Sequence, residues 1–154
     1  MKILVINPGG TSTKIAVFED DKQLFKANIT HTAEDLKPFH KVFDQFSYRK
    51  ELILRAVTEQ GIELKELSAV AGRGGLMEPI PGGPYAVNDR MVEDMRNAVH
   101  GEHPSNLGSV LAKEIGDELG IPSFVVDPVS VDELMPMARI SGISDLERPS
   151  WFHA

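Results

Sequence analysis

The first thirty residues alternate short apolar runs with turns, which is typical of three consecutive β-strands. Residues 2–7 form an apolar run rich in β-branched side chains and predict a buried strand. After the turn PGGTST, residues 14–20 alternate their apolar side chains between two faces and predict a second strand. A tight turn at Asp20 and Asp21 leads into a third strand at 23–30. The short connections predict an antiparallel meander.

The remaining pattern alternates helical segments with single strands. Helical periodicity and its stop signals predict helices over 34–46, 48–60, 89–99 and 104–119, and strands over 67–71 and 123–126. In the second helix, Leu52, Ala56 and Val57 share the apolar face, and Asp89 is the expected N-cap of the third. Together with the meander, these elements predict one α/β unit with a mixed sheet and helices on its faces.

Composition narrows the class of protein. The chain has 154 residues, the size of one domain, and 42% of them are hydrophobic, enough for a core. A formal charge of −7 argues against a nucleic-acid partner. No apolar run approaches the roughly 20 residues that span a bilayer, and the N-terminus lacks a signal-peptide pattern, so we expect a cytoplasmic protein without a membrane partner. The absence of cysteine excludes thiol catalysis and Cys-based zinc sites.

The turn between the first two strands is the first candidate binding segment. It reads Asn7-Pro8-Gly9-Gly10-Thr11-Ser12-Thr13-Lys14. Its glycines allow the backbone N–H groups to approach an anion, its hydroxyl groups add donors, and its lysine adds charge. It is not a Walker A loop, because the pattern G-x-x-x-x-G-K-[ST] is absent. It is not a Rossmann turn either, because a strand and not a helix follows it. A hairpin loop of this kind is typical of the phosphate loop of actin-like ATPases and sugar kinases, and an ordinary hairpin loop explains it as well.

Three further residues could carry chemistry. Arg73 stands between glycines at a strand end, where its planar fork suits a carboxylate or a phosphoryl group. His103 precedes a predicted helix N-terminus, which favours anions. Asp127 ends a buried strand, where carboxylates often serve Mg²⁺. Each has an ordinary alternative: a surface arginine in a turn, a capping histidine, and a turn aspartate before Pro128.

Four segments together resemble one family. They resemble the acetate and butyrate kinase family in their order and spacing, and butyrate kinases most. The segments are LVINPGGTSTKIAVFED, AVAGRGGLMEPIPGGPYAVND, GEHPSNLGSVLAKEIG and FVVDPVSVDELMPMARISGISDLERPSWFHA. The resemblance covers almost the whole chain. It implies a ribonuclease-H-like domain of the actin-like ATPase fold. It also implies an enzyme that reversibly converts butyrate and ATP into butyryl phosphate and ADP.

The resemblance also implies roles for the nucleotide-binding and metal-binding residues. Asn7 would help to place Mg²⁺ and its water shell, and Asp127 would hold Mg²⁺ through water. The ATP phosphates would be bound by the loop residues Gly9, Gly10, Thr11 and Ser12, together with Lys14.

The remaining implied roles concern the reacting groups. Arg73 would neutralise the oxygens of the carboxylate substrate and of the transferring phosphoryl group. His103 would lie near the substrate end of the cleft. His153 would point at the phosphoryl group in transfer, although its position in the sequence alone indicates no role.

Two features depart from the family pattern. Gly10 stands where the family usually has serine, which removes one hydroxyl donor. Family members are also more than twice as long, and their second, adenosine-binding domain has no counterpart in residues 1–154, so we expect a single N-terminal domain without turnover of its own.

The alternatives are a non-catalytic module that binds a partner through Trp151 and Phe152, or a kinase for acetate, propionate or a branched acid. The family suggests a homo-oligomer for the complete protein.

Overall fold

A six-stranded mixed sheet forms the body of the computed structural model, which describes residues 1–150. The strand order is β3-β2-β1-β4-β6-β5, and a separate hairpin is formed by β7 and β8. The strands are β1 Lys2–Pro8, β2 Ser12–Glu19, β3 Lys22–Thr30, β4 Ala69–Arg73, β5 Pro84–Ala86, β6 Ser123–Val126, β7 Ile140–Ile143 and β8 Leu146–Glu147. The helices are α1 Ala33–Leu36, α2 Phe46–Thr58, α3 Asp89–Arg96 and α4 Asn106–Leu119, with short 3₁₀ helices at Val42–Gln45, Leu64–Glu66 and Pro136–Arg139.

The predicted meander is confirmed. Strand β2 pairs antiparallel with β1 on one side and with β3 on the other. Strands β1, β4 and β6 run parallel to one another at the centre of the sheet. Their carboxyl ends therefore meet along one edge, which is where ligand sites of α/β sheets lie.

The core lies between one face of the sheet and the helices α2 and α4. Leu4 and Ile6 on β1 stand opposite Val17 and Ile15 on β2, so all four side chains share this face. Burying each such side chain stabilises the fold by about 1.5–3 kcal/mol. The fully or almost fully buried cluster consists of Leu4, Ile6, Ile15, Val17, Ile53, Val57, Leu67, Val70, Leu107, Leu111, Ala112 and Ile115.

Helix α4 approaches β4 so closely that only glycine fits at the contact. A Cβ atom at Gly72 would overlap the carbonyl oxygen of Gly108, and one at Gly108 would overlap the carbonyl oxygen of Arg73. The two glycines therefore let the helix backbone lie directly against the strand end that carries Arg73.

Several predicted helix boundaries are wrong. The predicted helix over 34–46 is only α1 followed by a 3₁₀ helix, because Pro38 has no N–H to donate and restricts the residue before it. The N-cap of α3 is Asn88, whose side chain accepts from the Met91 N–H at 2.9 Å, rather than Asp89. The helix ends at Arg96 instead of Val99.

Two other predictions about the helices also need correction. Helix α4 begins at Asn106, two residues after Pro104. Helix α2 buries Arg49, Ile53 and Val57, whereas Leu52 and Ala56 are only half-buried. Within residues 1–150, no helix is both long enough and apolar enough to cross a membrane.

Candidate active site

A cavity of about 360 Å³ lies where the parallel strands end, and it collects residues that are distant in the sequence. Asn7 from β1, Arg73 from β4 and Asp127 just after β6 all line it. Val5, Ala71 and Val126 supply apolar walls. The cavity therefore combines an amide, a guanidinium and a carboxylate with a small apolar surface. This combination suits a short ligand that has an anionic head and an apolar tail.

Asp127 is fixed by the glycine turn that precedes β5. Its Oδ1 atom accepts a hydrogen bond from the Gly83 N–H at 2.9 Å. Its backbone has a φ of +42°, in the left-handed region that few residues other than glycine adopt. The Gly/Pro-rich loop over residues 79–84 thus holds the carboxylate at the strand end.

Arg73 is the last residue of β4, and its side chain is exposed. A Cβ atom at Gly74 would overlap the Val125 side chain. The glycine is therefore needed for the chain to leave β4 beside β6. Within residues 1–150, no hydrogen bond or ion pair engages the Arg73 guanidinium, so its donors can serve a ligand.

His103 does not line the cavity, but its segment is tied to the loop after Arg73. The side chain of Asn106 accepts from the Leu76 N–H at 2.9 Å and donates to the Gly101 carbonyl at 2.9 Å. The His103 Nδ1 atom accepts from the Ser105 N–H at 3.2 Å. This bond places the proton of the neutral ring on Nε2, by inference from the hydrogen-bond network.

The loop between β1 and β2 closes on itself and leaves two N–H groups exposed. The Gly9 N–H donates to the Ser12 carbonyl at 2.7 Å. Gly10 and Thr11 are exposed, and their N–H groups have no acceptor within residues 1–150. Lys14 stands opposite Asn7 in the β1–β2 ladder, so it projects from the same face of the sheet as Asn7.

Sequence reasoning missed the residue that supports this loop from below. Arg49 on α2 is completely buried, and it donates to the carbonyl oxygens of Gly9 at 2.8 Å and Gly10 at 3.0 Å. It also donates to Thr13 Oγ1 at 2.9 Å. One signal could have found it: Arg49 lies four residues before Ile53 and eight before Val57, so it occupies the apolar stripe of its helix.

A buried histidine extends the network beneath the loop. His31 is 2% exposed, and its Nε2 atom lies 2.8 Å from Thr13 Oγ1. Burial, and to a lesser degree the charge of Arg49, lower the pKa of His31 below its ordinary value of 6.5. Burial also lowers the pKa of Arg49, which nevertheless stays charged because arginine does not deprotonate in proteins.

Comparison with known proteins gives the relationship of the chain. No family model matches the sequence. The chain is 53% identical, over 99% of its length, to a probable butyrate kinase of Clostridium botulinum (strain Eklund 17B / Type B), of which it covers 43%. It is 50% identical over 99% of its length to butyrate kinase 1 of Clostridium acetobutylicum, again covering 43%.

Over almost its whole length, the chain is similar to butyrate kinases. It spans less than half the length of these relatives. A crystal structure of Porphyromonas gingivalis acetate kinase has the same fold, with a TM-score of 0.62 over 99% of this chain and 45% of that one, at 16% identity. The predicted resemblance to butyrate kinases and the predicted mixed α/β fold are therefore confirmed.

The residues expected from the family resemblance fall into three groups. Asn7, Arg73 and Asp127 line one cavity. The loop from Gly9 to Ser12 and Lys14 lie beside Asn7, and His103 lies on a segment joined to the loop after Arg73. His153 lies outside the described residues, together with Trp151 and Phe152. The roles of all these residues remain predictions.

Proposed function

We propose that this protein carries the phosphate-binding and carboxylate-binding wall of an ATP-dependent butyrate kinase. The observation that carries the proposal is its 53% identity, over 99% of its length, to a probable butyrate kinase. The reaction moves the γ-phosphoryl group of ATP to a carboxylate oxygen of butyrate. A new bond forms between that oxygen and phosphorus, the bond from phosphorus to the β–γ bridging oxygen breaks, and ADP leaves.

The chemistry asks little of the protein beyond positioning and charge neutralisation. A carboxylate is already a nucleophile, so no general base is required. Negative charge accumulates on the oxygens of the phosphoryl group and must be balanced along an in-line path. Arg73, with a guanidinium that no described residue engages, is the residue we assign to this task. The apolar surface of Val5, Ala71 and Val126 suits the short alkyl chain of butyrate.

The donor set of the cavity fits magnesium. Asn7 and Asp127 offer oxygen atoms, which Mg²⁺ prefers. Within residues 1–150, no three His, Cys, Asp or Glu side chains converge to make a protein cage for a metal. Mg²⁺ is usually bound by one or two carboxylates together with phosphates and water, so a single fixed aspartate is the expected arrangement. The ion would neutralise the ATP phosphates.

The loop between β1 and β2 would hold the phosphates themselves. The N–H groups of Gly10 and Thr11 are exposed donors without acceptors in the described chain, and Lys14 adds a cation on the same face as Asn7. His103 would lie near the substrate end of the cleft. His153 would approach the phosphoryl group in transfer.

The rest of the proposal follows the family. A second domain would bind the adenosine moiety, the complete protein would be a homo-oligomer, and it would act in the cytoplasm. These features are supported by the family resemblance and by the relatives, of which this chain covers 43%.

The test is acyl phosphate formation by the product of the native gene, trapped with hydroxylamine in the presence of ATP and Mg²⁺. Acetate, propionate, butyrate and isobutyrate are compared, and butyrate should give the highest kcat/KM. Asp127→Asn should lower the rate at least about tenfold because it removes the negative charge of the group proposed to hold the metal. Asp145→Asn, an exposed aspartate in the β7–β8 hairpin, is the matched control. The absence of ATP-dependent acyl phosphate with every acid would overturn the proposal.

A further inference from the structure

A buried arginine without a carboxylate partner needs an explanation. Arg49 is completely buried. Its guanidinium makes hydrogen bonds only to neutral groups: backbone carbonyls, the Thr13 hydroxyl and the Gln45 amide. Within residues 1–150, no Asp or Glu forms a salt bridge with it. Buried charges are normally paired, because an unpaired charge loses its hydration without compensation.

The hydrogen bonds of Arg49 fix the direction of the loop carbonyls. The Nη1 atom donates to the Gly9 carbonyl at 2.8 Å, and the Nη2 atom donates to the Gly10 carbonyl at 3.0 Å. Both carbonyl groups therefore point toward the protein interior. Gln45 accepts from the Nε and Nη2 atoms at 3.0 and 2.7 Å, which holds the plane of the guanidinium.

Peptide geometry converts this inward orientation into an outward one for the N–H groups. A trans peptide is planar, and its C=O and N–H bonds point in opposite directions. Because the carbonyls of Gly9 and Gly10 point inward, the N–H groups of Gly10 and Thr11 point outward. Neither N–H has an acceptor within the described chain, and both residues are exposed. Successive outward N–H groups form a concave site that favours anions.

We propose that Arg49 is a positioning residue that makes this loop a polyphosphate site, both by orienting the N–H groups of Gly10 and Thr11 and by placing an unpaired positive charge beneath them. The inference deepens the proposed function and rests on it for the identity of the anion. A buried charge is screened by salt much less than an exposed one such as Lys14. Arg49 therefore supplies a field at the loop that persists at physiological ionic strength.

A purely structural role would look different in one respect. If Arg49 only held the hairpin together, its loss would change stability without changing anion affinity in molecules that remain folded. Substitution by lysine separates the two contributions, because lysine keeps the charge and lacks the planar fork that spans two carbonyls. Substitution by methionine removes both the charge and the donors.

The experiment is a titration of the ¹⁵N-labelled protein with sodium tripolyphosphate, read at the amide signals of Gly10 and Thr11. Wild-type protein should show saturable changes in chemical shift at both signals. Arg49→Lys should bind about tenfold more weakly, and Arg49→Met about a hundredfold, as expected for losing one or two hydrogen bonds associated with a charge. Arg55→Met removes an exposed arginine from the same helix and should bind within about twofold of wild type.

The outcomes separate this inference from the proposed function. Equal affinity of wild type and folded Arg49→Lys and Arg49→Met would overturn the role of Arg49, as would wild-type signals that do not respond to tripolyphosphate. If Arg49→Met does not fold, the Lys variant decides. The acyl phosphate assay is independent of this readout. If the protein forms acyl phosphate but the Arg49 variants bind tripolyphosphate as tightly as wild type, only the Arg49 inference is overturned. If binding depends on Arg49 but no acyl phosphate forms, only the butyrate kinase proposal is overturned.

Discussion

Two of the polar side chains that line the cavity, Asp127 and Arg73, are held to different degrees. Asp127 is anchored through Oδ1 to the Gly83 N–H at 2.9 Å. Arg73 has no partner within residues 1–150, so only its backbone position at the end of β4 is set by the fold. A bound anion would therefore order the Arg73 side chain, whereas the carboxylate is ready before the ligand arrives.

Substitution of Gly10 tests whether the loop between β1 and β2 binds phosphate, as proposed. A Cβ atom at this position would have no heavy atom within 4 Å, and its φ lies outside the left-handed region. Gly10→Ser should therefore leave the free energy of unfolding within about 0.5 kcal/mol. If the family pattern holds, the added hydroxyl should lower the Kd for ATP several-fold through one more charge-assisted hydrogen bond, about 1 kcal/mol or more. Isothermal titration calorimetry measures the change, and Gly10→Ala separates the hydroxyl from the methyl carbon. Equal affinity of the Ser and Ala variants would contradict a loop-to-phosphate contact at this position.

His31 predicts how stability depends on pH. Its pKa is lowered from 6.5 in the folded protein, by burial first and by Arg49 second, while Asp35 acts in the opposite direction. The unfolded chain therefore takes up the proton first as the pH falls through 6.5. The contribution of His31 to stability is complete above 6.5 and is lost as the pH falls toward the folded pKa. The loss is about 1.4 kcal/mol for each pH unit that separates the folded pKa from the unfolded one.

His31→Gln should make the free energy of unfolding depend less on pH below 6.5. Urea unfolding at several pH values between 7.5 and 5 measures it, and the other histidines contribute equally to both proteins. His40→Gln, at an exposed histidine, should keep the wild-type slope. A wild-type slope that His31→Gln leaves unchanged would show that another group is responsible. The carboxylates whose pKa values are lowered, such as Asp35 and Asp132, act at lower pH and do not interfere.

At the scale of elements, the contact between β4 and α4 sets the backbone position of Arg73 in the candidate site. Gly72 and Gly108 let the two backbones touch just behind Arg73. Through its higher helix propensity alone, Gly108→Ala should raise the free energy of unfolding by about 0.5–1 kcal/mol. Because the new Cβ would overlap the Arg73 carbonyl, we expect the opposite: a loss of about 1–3 kcal/mol in the free energy of unfolding. Chemical denaturation measures the loss, with Gly10→Ala as the control glycine. A stabilised Gly108→Ala variant would contradict the close approach.

The elements that the sequence predicts well are those with local causes. The strands β1 to β3 follow from alternating apolar residues and short turns, and they form as expected. Strand β5 was not predicted, because three residues in a Gly/Pro-rich loop become a strand only by pairing with β6. Helix ends were also misplaced, since caps such as Asn88 and breaks such as Pro38 act within a residue or two.

At the scale of the whole molecule, the site is assembled from segments that are far apart in the chain. The sequence indicated Asn7, Arg73 and Asp127 singly, and the parallel order of β1, β4 and β6 brings them to one cavity. Arg49 could not be assigned from the sequence in the same way. Its place in the apolar stripe of α2 distinguishes it from Lys50 and Arg55, but its role depends on where α2 packs under a loop about forty residues earlier.

Phosphoryl transfer at this cavity is best tested by the rate of acyl phosphate formation by Arg73→Lys relative to wild type, measured on the product of the native gene with butyrate, ATP and Mg²⁺. Lysine keeps the charge but cannot bind two oxygens with a planar fork. We expect kcat to fall about 100-fold or more, the scale of losing one transition-state donor. The melting temperature should stay unchanged, because the side chain is exposed and has no partner in the described chain. A rate within about threefold of wild type, in a variant that melts like wild type, would show that phosphoryl transfer does not take place at this cavity.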